Sequence, residues 1–183
     1  MLRPEDLPKP STRRCAAMTG FELLLLTAIV VAVAPTVCSQ TVNSVLTYRF
    51  NSHGDGENTS ETTLTPSNVN ASQFKKLFSD PVDGAIYAEP LYMPGVLVGT
   101  TTHNIVYVAT ENDSVYGFDA DAAGPPLWHS SFLGNGITPV QDSQVGNCVD
   151  ITPQYGITAT PVIDPTTHML YVVANTMESG VNT

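Results

Sequence analysis

The sequence predicts an all-β fold, and three observations carry the prediction. Residues 106–128 read as strand, tight turn, strand, second turn and the opening of a third strand. A related pattern of strand and turn recurs further along the chain. After the N-terminal segment, apolar residues do not keep a helical period over any useful length.

The elements are taken in chain order. Residues 1–39 read as an export signal that is expected to be helical. Arg13 and Arg14 precede an apolar run at 23–34, Pro35 breaks it, and Val37-Cys38-Ser39 offers a cleavage point near Ser39. Twelve residues fall short of the roughly 20 that a membrane span needs, although an uncleaved anchor is the alternative. A twin-arginine signal would want hydrophobic residues where Cys15, Ala16 and Ala17 follow the pair, and a lipoprotein signal would want a small residue in place of Val37. Met18 is an alternative start.

Residues 40–85 form a lead-in. Val45, Leu46, Tyr48 and Phe50 give 40–50 a strand-like character, 51–72 is polar and loop-like, and 74–78 reads as a short strand. From 86 to 183 strands dominate. Residues 86–93 read as a strand interrupted by Pro90, which suggests an edge or a bend. Residues 96–102 read as a connector. Ile105 to Ala109 is a nearly unbroken apolar run, as a strand covered on both faces requires. Glu111, Asn112, Asp113 and Ser114 supply turn chemistry. Val115, Tyr116 and Phe118 resume the strand, with Gly117 where a ring or backbone comes close. Residues 133–155, with Gly134, Gly136, Pro139, Gly146 and Pro153, read as a long irregular loop of the kind that tends to carry function. Residues 157–163 and 169–174 form a hairpin turning through Asp164-Pro165-Thr166-Thr167-His168.

The internal repeat aligns Glu89-Pro90-Leu91-Tyr92 and Tyr107-Val108-Ala109-Thr110 with Thr160-Pro161-Val162-Ile163 and Tyr171-Val172-Val173-Ala174. The two prolines lie 71 residues apart and the two tyrosines 64, so the first copy has the longer connector. A meander of this kind cannot bury its own faces and calls for neighbours built the same way.

Tyr107-Val108-Ala109-Thr110, then Ser114-Val115-Tyr116-Gly117-Phe118-Asp119-Ala120, then Leu127-Trp128 closely resembles the repeat of pyrroloquinoline-quinone-like (PQQ-like) β-propellers. The family pattern has Ala or a similar residue in place of Gly117, and usually Thr-Gly in place of Ala123-Gly124. Residues 61–69 resemble the lead-in segment of exported bacterial members, and 83–92 and 156–164 also resemble family segments, so the likeness spans roughly residues 45–178. The resemblance implies a β-propeller with Tyr107, Ala109, Thr110, Val115, Tyr116, Phe118, Asp119 and Trp128 as the structural repeat motif. It also implies that Trp128 packs between adjacent blades, which outweighs a ligand-stacking role. Propellers close a ring of roughly four to eight four-stranded blades. About two are present here, so the remaining blades of a longer chain are expected.

Charge narrows the function. Of 7 basic and 17 acidic residues, 4 and 3 lie before Gln40, so the rest carries 3 and 14 and a formal charge of −11. That argues against nucleic acid and anionic membrane surfaces, whose phosphates demand Lys and Arg. Contact with a membrane is expected only through the N-terminal segment. Cys148 is the cysteine left over after Cys15 and Cys38 depart with the signal, and it is either paired outside this chain or a free thiol.

Candidate chemistry is sparse. Asp119 and Asp121 do not belong to a complete calcium loop and read as a turn in which Asp caps backbone N–H groups. His53, Asp55 and Glu57 have metal-ligand types but sit in a Gly-rich loop that reads as solvated. His103, His129 and His168 are scattered, and no serine, cysteine or metallohydrolase motif appears. The sequons at Asn58, Asn70 and Asn112 are expected to be unmodified, because the resemblance points to bacteria. The expected function is a non-catalytic binding or scaffold module for a protein or glycan partner, exported to the periplasm, cell surface or medium. One alternative, from the dehydrogenase branch of the family, is a quinoprotein oxidising alcohols or sugars with PQQ and calcium. That branch uses a vicinal Cys-Cys pair, a calcium-binding Glu and Asn and a catalytic Asp, none of which is placed here. Another alternative is a non-functional truncation product.

Overall fold

The structure is a computed structural model that describes residues 43–146, 150–179 and 181–182. The expected export signal, Cys15, Cys38 and Cys148 lie outside the described residues. The described residues all belong to one compact unit, Gln40–Thr183.

The fold is all-β, with antiparallel pairing throughout the described strands. The main sheet is a four-stranded meander of β1 (Leu91–Val98), β2 (Thr101–Ala109), β3 (Ser114–Asp119) and β4 (Trp128–Ser131), in that spatial order. A second sheet has β10 (Val181–Asn182), β9 (Thr176–Glu178), β5 (Ile137–Gln141) and β6 (Gln154–Tyr155). Strands β7 (Val162–Ile163) and β8 (Leu170–Tyr171) form a separate hairpin. The described helical content is one 3-10 turn, Asp142–Gln144.

Strand β3 is buried along five of its six residues, as its apolar run requires. Gly117 lies close to its neighbours: a Cβ would sit 3.4 Å from Ile105 Cγ2 and 3.5 Å from the Tyr107 ring, in ordinary contact across the strand pair Tyr107↔Gly117. Of the main sheet's two faces, the one bearing Leu91, Met93, Val96 and Ile105 forms a core cluster with Ile163, with Tyr107, Leu127 and Leu170 packed against it. Ala109 and Val115 continue that face into a second cluster with Ala88 and Ile157, flanked by Leu170, Val172 and Ala174. The opposite face holds Val108, Tyr116 and Phe118, with Val82 and Val106 against them.

The repeat read from the sequence reappears as register. Leu91 pairs with Tyr107 in the first copy and Val162 with Tyr171 in the second, the positions that the alignment of the two copies equates. Residues 45 and 46 clasp both copies. Val45 exchanges both backbone hydrogen bonds with Tyr92 (2.8 and 2.9 Å), and the Leu46 carbonyl accepts from the Ile163 N–H at 2.8 Å.

Several boundaries differ from the sequence expectation. Residues 74–78 are not a strand: Phe74 and Leu77 are exposed and the two lysines between them leave no apolar face to bury. Within the described part of the 40–50 lead, residues 43–50, pairing is reduced to the single bridge Val45↔Tyr92. Strand β1 begins just after Pro90, whose missing N–H and fixed φ suit an entry better than an interior. The expected connector 96–102 is strand on both sides of a turn at Gly99 and Thr100, with Gly99 at φ +62°. Pro94-Gly95 does not end β1. It forms a bulge between Met93 and Val96, with Gly95 at φ +69° donating its N–H to Asn104 Oδ1 at 3.1 Å. The segment 133–155 is irregular only in part: β5 pairs first with β9 through Ile137, Thr138 and Pro139, then with β6 through Val140 and Gln141. Trp128, expected to be packed away, is 45% exposed on the outer strand of the meander.

Candidate functional site

The densest polar constellation surrounds the turn between β2 and β3. Thr110, Glu111, Asp113 and Ser114 are all buried. The turn closes through Thr110 N–H to the Ser114 carbonyl (2.9 Å) and Asp113 N–H to the Thr110 carbonyl (3.2 Å). Asp113 adopts φ +52°, a left-handed conformation that Asp and Asn tolerate better than most residues.

Three distant segments converge on this turn. From the outer side, the Asp83 carboxylate accepts from Thr110 Oγ1 (2.8 Å), Asn112 Nδ2 (2.9 Å) and Ser114 Oγ (2.6 Å). Partial burial alone would raise the Asp83 pKa. Hydrogen bonds from Ser114, Asn112, Thr110 and Tyr116 outweigh it and hold the carboxyl below the usual range. Ala85 binds Glu111 twice, accepting from its N–H at 3.0 Å and donating to Oε1 at 3.3 Å. From the inner side, Ile157 N–H donates to the Thr110 carbonyl (3.3 Å) and Gln154 Nε2 to Asn112 Oδ1 (3.0 Å). Phe132 N–H donates to the Asp113 carbonyl at 2.9 Å.

Within this knot Asp113 is fully buried, and neither of its oxygens, nor Glu111 Oε2, reaches a hydrogen-bond partner in good geometry among the described residues. Burial pushes the Asp113 pKa up to about 6, and the nearby backbone of Asn175 pulls it only partly back. Because this folded pKa is raised, the stability linked to Asp113 is fully present below its ordinary value of 3.8 and is lost as pH rises through about 6. Between about pH 4 and pH 7 the chain should therefore lose roughly 2 kcal/mol relative to Asp113→Asn, which keeps the turn geometry without the charge. Urea midpoints of the two proteins across that range check this; parallel curves would mean that Asp113 is solvated. The arrangement fixes a turn and holds Asp113 away from solvent.

The repeat-motif residues gather on the main sheet. Ala109, Thr110, Val115, Tyr116 and Phe118 are buried and Tyr107 is half-buried. Tyr116 stacks on Phe118 (centroids 5.5 Å apart) and on His129 of the neighbouring strand (4.4 Å). Asp119 meets His103 Nδ1 at 2.7 Å and accepts the Asp121 N–H at 2.8 Å. His103 and the Asp121 backbone both hold the Asp119 carboxyl below its usual pKa. This is the N–H-capping turn the sequence suggests, and Asp121 itself accepts from Asn104 Nδ2 at 2.9 Å. His168 ends the turn of the second hairpin at φ +57°, where Asp164 accepts from Thr166 N–H and Thr167 Oγ1.

The metal-type loop takes a different form. Asp55 and Glu57 line a cleft of about 500 Å³ with Asn43, Phe50 and Thr59, but His53 is not on its wall. The Asn51 side chain organises the loop, accepting from His53 N–H (2.9 Å) and donating to Asp55 Oδ2 (3.1 Å). Among the described residues no three His, Cys, Asp or Glu side chains converge.

Of this constellation, sequence reasoning identified the 111–114 turn but neither Asp83 nor Gly156 as its partners. The available signal was the small residues Gly84 and Gly156 within polar stretches, which mark places where backbone approaches closely. The chain matches no protein-family model, no curated protein and no solved structure.

Proposed function

We propose that this chain is an exported, non-catalytic binding or scaffold segment built from PQQ-like β-propeller blades. The observation that carries this reading is the four-stranded antiparallel meander β1–β4, with the second copy's hairpin repeating its register against one face. Face-to-face stacking of short antiparallel sheets is what a propeller uses. The binding role is favoured over catalysis because the carboxylates of Asp83 and Glu111 brace a turn in which Asp113 is buried. The polar side chains at the opposite end of the sheet, His103, Asn104, Asp119 and Asp121, bind one another.

Partner contact falls to the exposed loops that such a scaffold holds in place. One such cluster brings together Ser79, Asp80 and Pro81 with Gly124, Pro125 and Pro126, pinned by Gly124 N–H donating to Asp80 Oδ1 at 3.0 Å. A protein or glycan is the class of partner proposed, and residues 1–39 are proposed to carry the chain out of the cytoplasm.

Titrating the purified chain with PQQ and calcium tests the non-catalytic reading. Thermal stability and quinone absorbance are expected to stay unchanged in a folded sample. A saturable rise in melting temperature that a chelator reverses would overturn it in favour of a quinoprotein oxidoreductase. Fractionation of expressing bacteria tests export, with a cytoplasmic product counting against it.

A further inference from the structure

We propose that the outer face of the β7–β8 hairpin binds the opposite sheet face of a second copy of this chain, head to tail. Register and burial carry this inference, independently of the propeller reading.

The hairpin is apolar on both faces. Ile163, Leu170 and Val172 point one way and pack into the clusters around Leu91 and Ala109. Val162 and Tyr171, paired directly across the hairpin, point the other way and are 46% and 56% exposed. Met169 and Val173, two residues either side of Tyr171, share that face and are also exposed. Four apolar side chains uncovered on a two-stranded sheet form a patch of the kind that marks an interaction surface.

The first copy shows what such a face takes. Its Leu91 and Tyr107 occupy the positions of Val162 and Tyr171 in the same register. In the first copy Leu91 is 1% exposed, because the second copy's Ile163 and Leu170 lie on it. Thus one repeat covers the face of another by presenting the side that carries Ile163 and Leu170. The first copy's residues equivalent to these two are Tyr92 and Val106, on the far face of the main sheet. That face opens into an apolar cleft of about 280 Å³ lined by Val106, Val108, Phe118, Phe78 and Ile86. Each molecule therefore carries both halves of a contact it already makes once within itself, and a second copy supplies the occupant. Because the two halves differ, the contact is heterologous and repeats rather than closing on a pair unless the rotation makes a ring. The chain's net charge of −10 opposes association, so added salt should strengthen it.

Sedimentation velocity on the full chain over a concentration series tests this. Growth past the dimer, promoted by salt, is expected. Tyr171→Asp removes one half and Ile86→Asp the other, each at an exposed position, and each alone should weaken association at least tenfold, roughly the penalty of an unpaired charge in an apolar contact. Val173→Asp is the second variant for the hairpin face, and far-UV circular dichroism confirms folding. Mixing the Tyr171→Asp and Ile86→Asp proteins should restore a complex that stops at two chains, since each retains the half the other lacks. A monomeric wild type at all concentrations, variants that associate like wild type, or a mixture that stays monomeric would each overturn the proposal.

Discussion

Replacing Gly156 by alanine is expected to cost about 3 kcal/mol or more, a large part of the 5–15 kcal/mol that stabilises a typical domain. A Cβ at this position would overlap the Glu111 carbonyl oxygen and lie 2.7 Å from the carbonyl carbon and 2.8 Å from Asp113 Oδ1. The obstacle is backbone held in a buried turn, so no side chain can rotate away. Relief would require withdrawing residues 154–157, breaking the Ile157 N–H bond to Thr110 and the Gln154 bond to Asn112. It would also lift Ile157, fully buried among Ala88, Ala109 and Val115, out of its cluster. Gly124→Ala is the matched control, because a Cβ there meets open space. Urea unfolding of both variants reads the difference, and equal midpoints would show that the 154–157 segment is not seated on the turn.

The second large effect comes from comparing equivalent positions of the two copies. Leu91→Ala should destabilise by about 3 kcal/mol, combining lost burial with a cavity between the main sheet and the hairpin. Val162→Ala, at the same repeat position, should cost less than about 0.5 kcal/mol in dilute solution, because its side chain is 46% exposed. Identical costs at the two sites would contradict the packing order in which the second copy covers the first. Both variants are read from denaturant midpoints at constant slope.

The strands that were legible in the sequence were those whose own residues declare them. The run from Ile105 to Ala109 and the stretch Val115 to Phe118 carry enough adjacent apolar area to demand cover on both sides. The 164–168 turn was legible because Asp164, Thr166 and Thr167 satisfy one another within three residues. Strand β1 was obscured by Pro94-Gly95, which resembles a chain break but is accommodated as a bulge. Strand β5 was hidden by Pro139 and the surrounding glycines, and it is held by β9 and β6, whose contribution no local window contains. The turn's braces were illegible for the same reason: Asp83 lies 27 residues from Thr110 and 31 from Ser114. The repeat motif describes Trp128 beside a neighbouring sheet, and none of the described residues supplies one on that side, so the residue is 45% exposed.

The flank of β1 has a consequence for how this protein meets strands from other molecules. Tyr92 has both backbone groups taken by Val45, Pro94 has no N–H to offer, and the Gly95 N–H is occupied by Asn104. A foreign strand sliding along this side finds no run of free donors and acceptors until it reaches Val96–Val98, too short a stretch to hold it. Amyloid-type growth from this flank would first have to strip the clasp at residues 45 and 46 from both copies. The β1 side of the main sheet thus denies a template to misfolded chains.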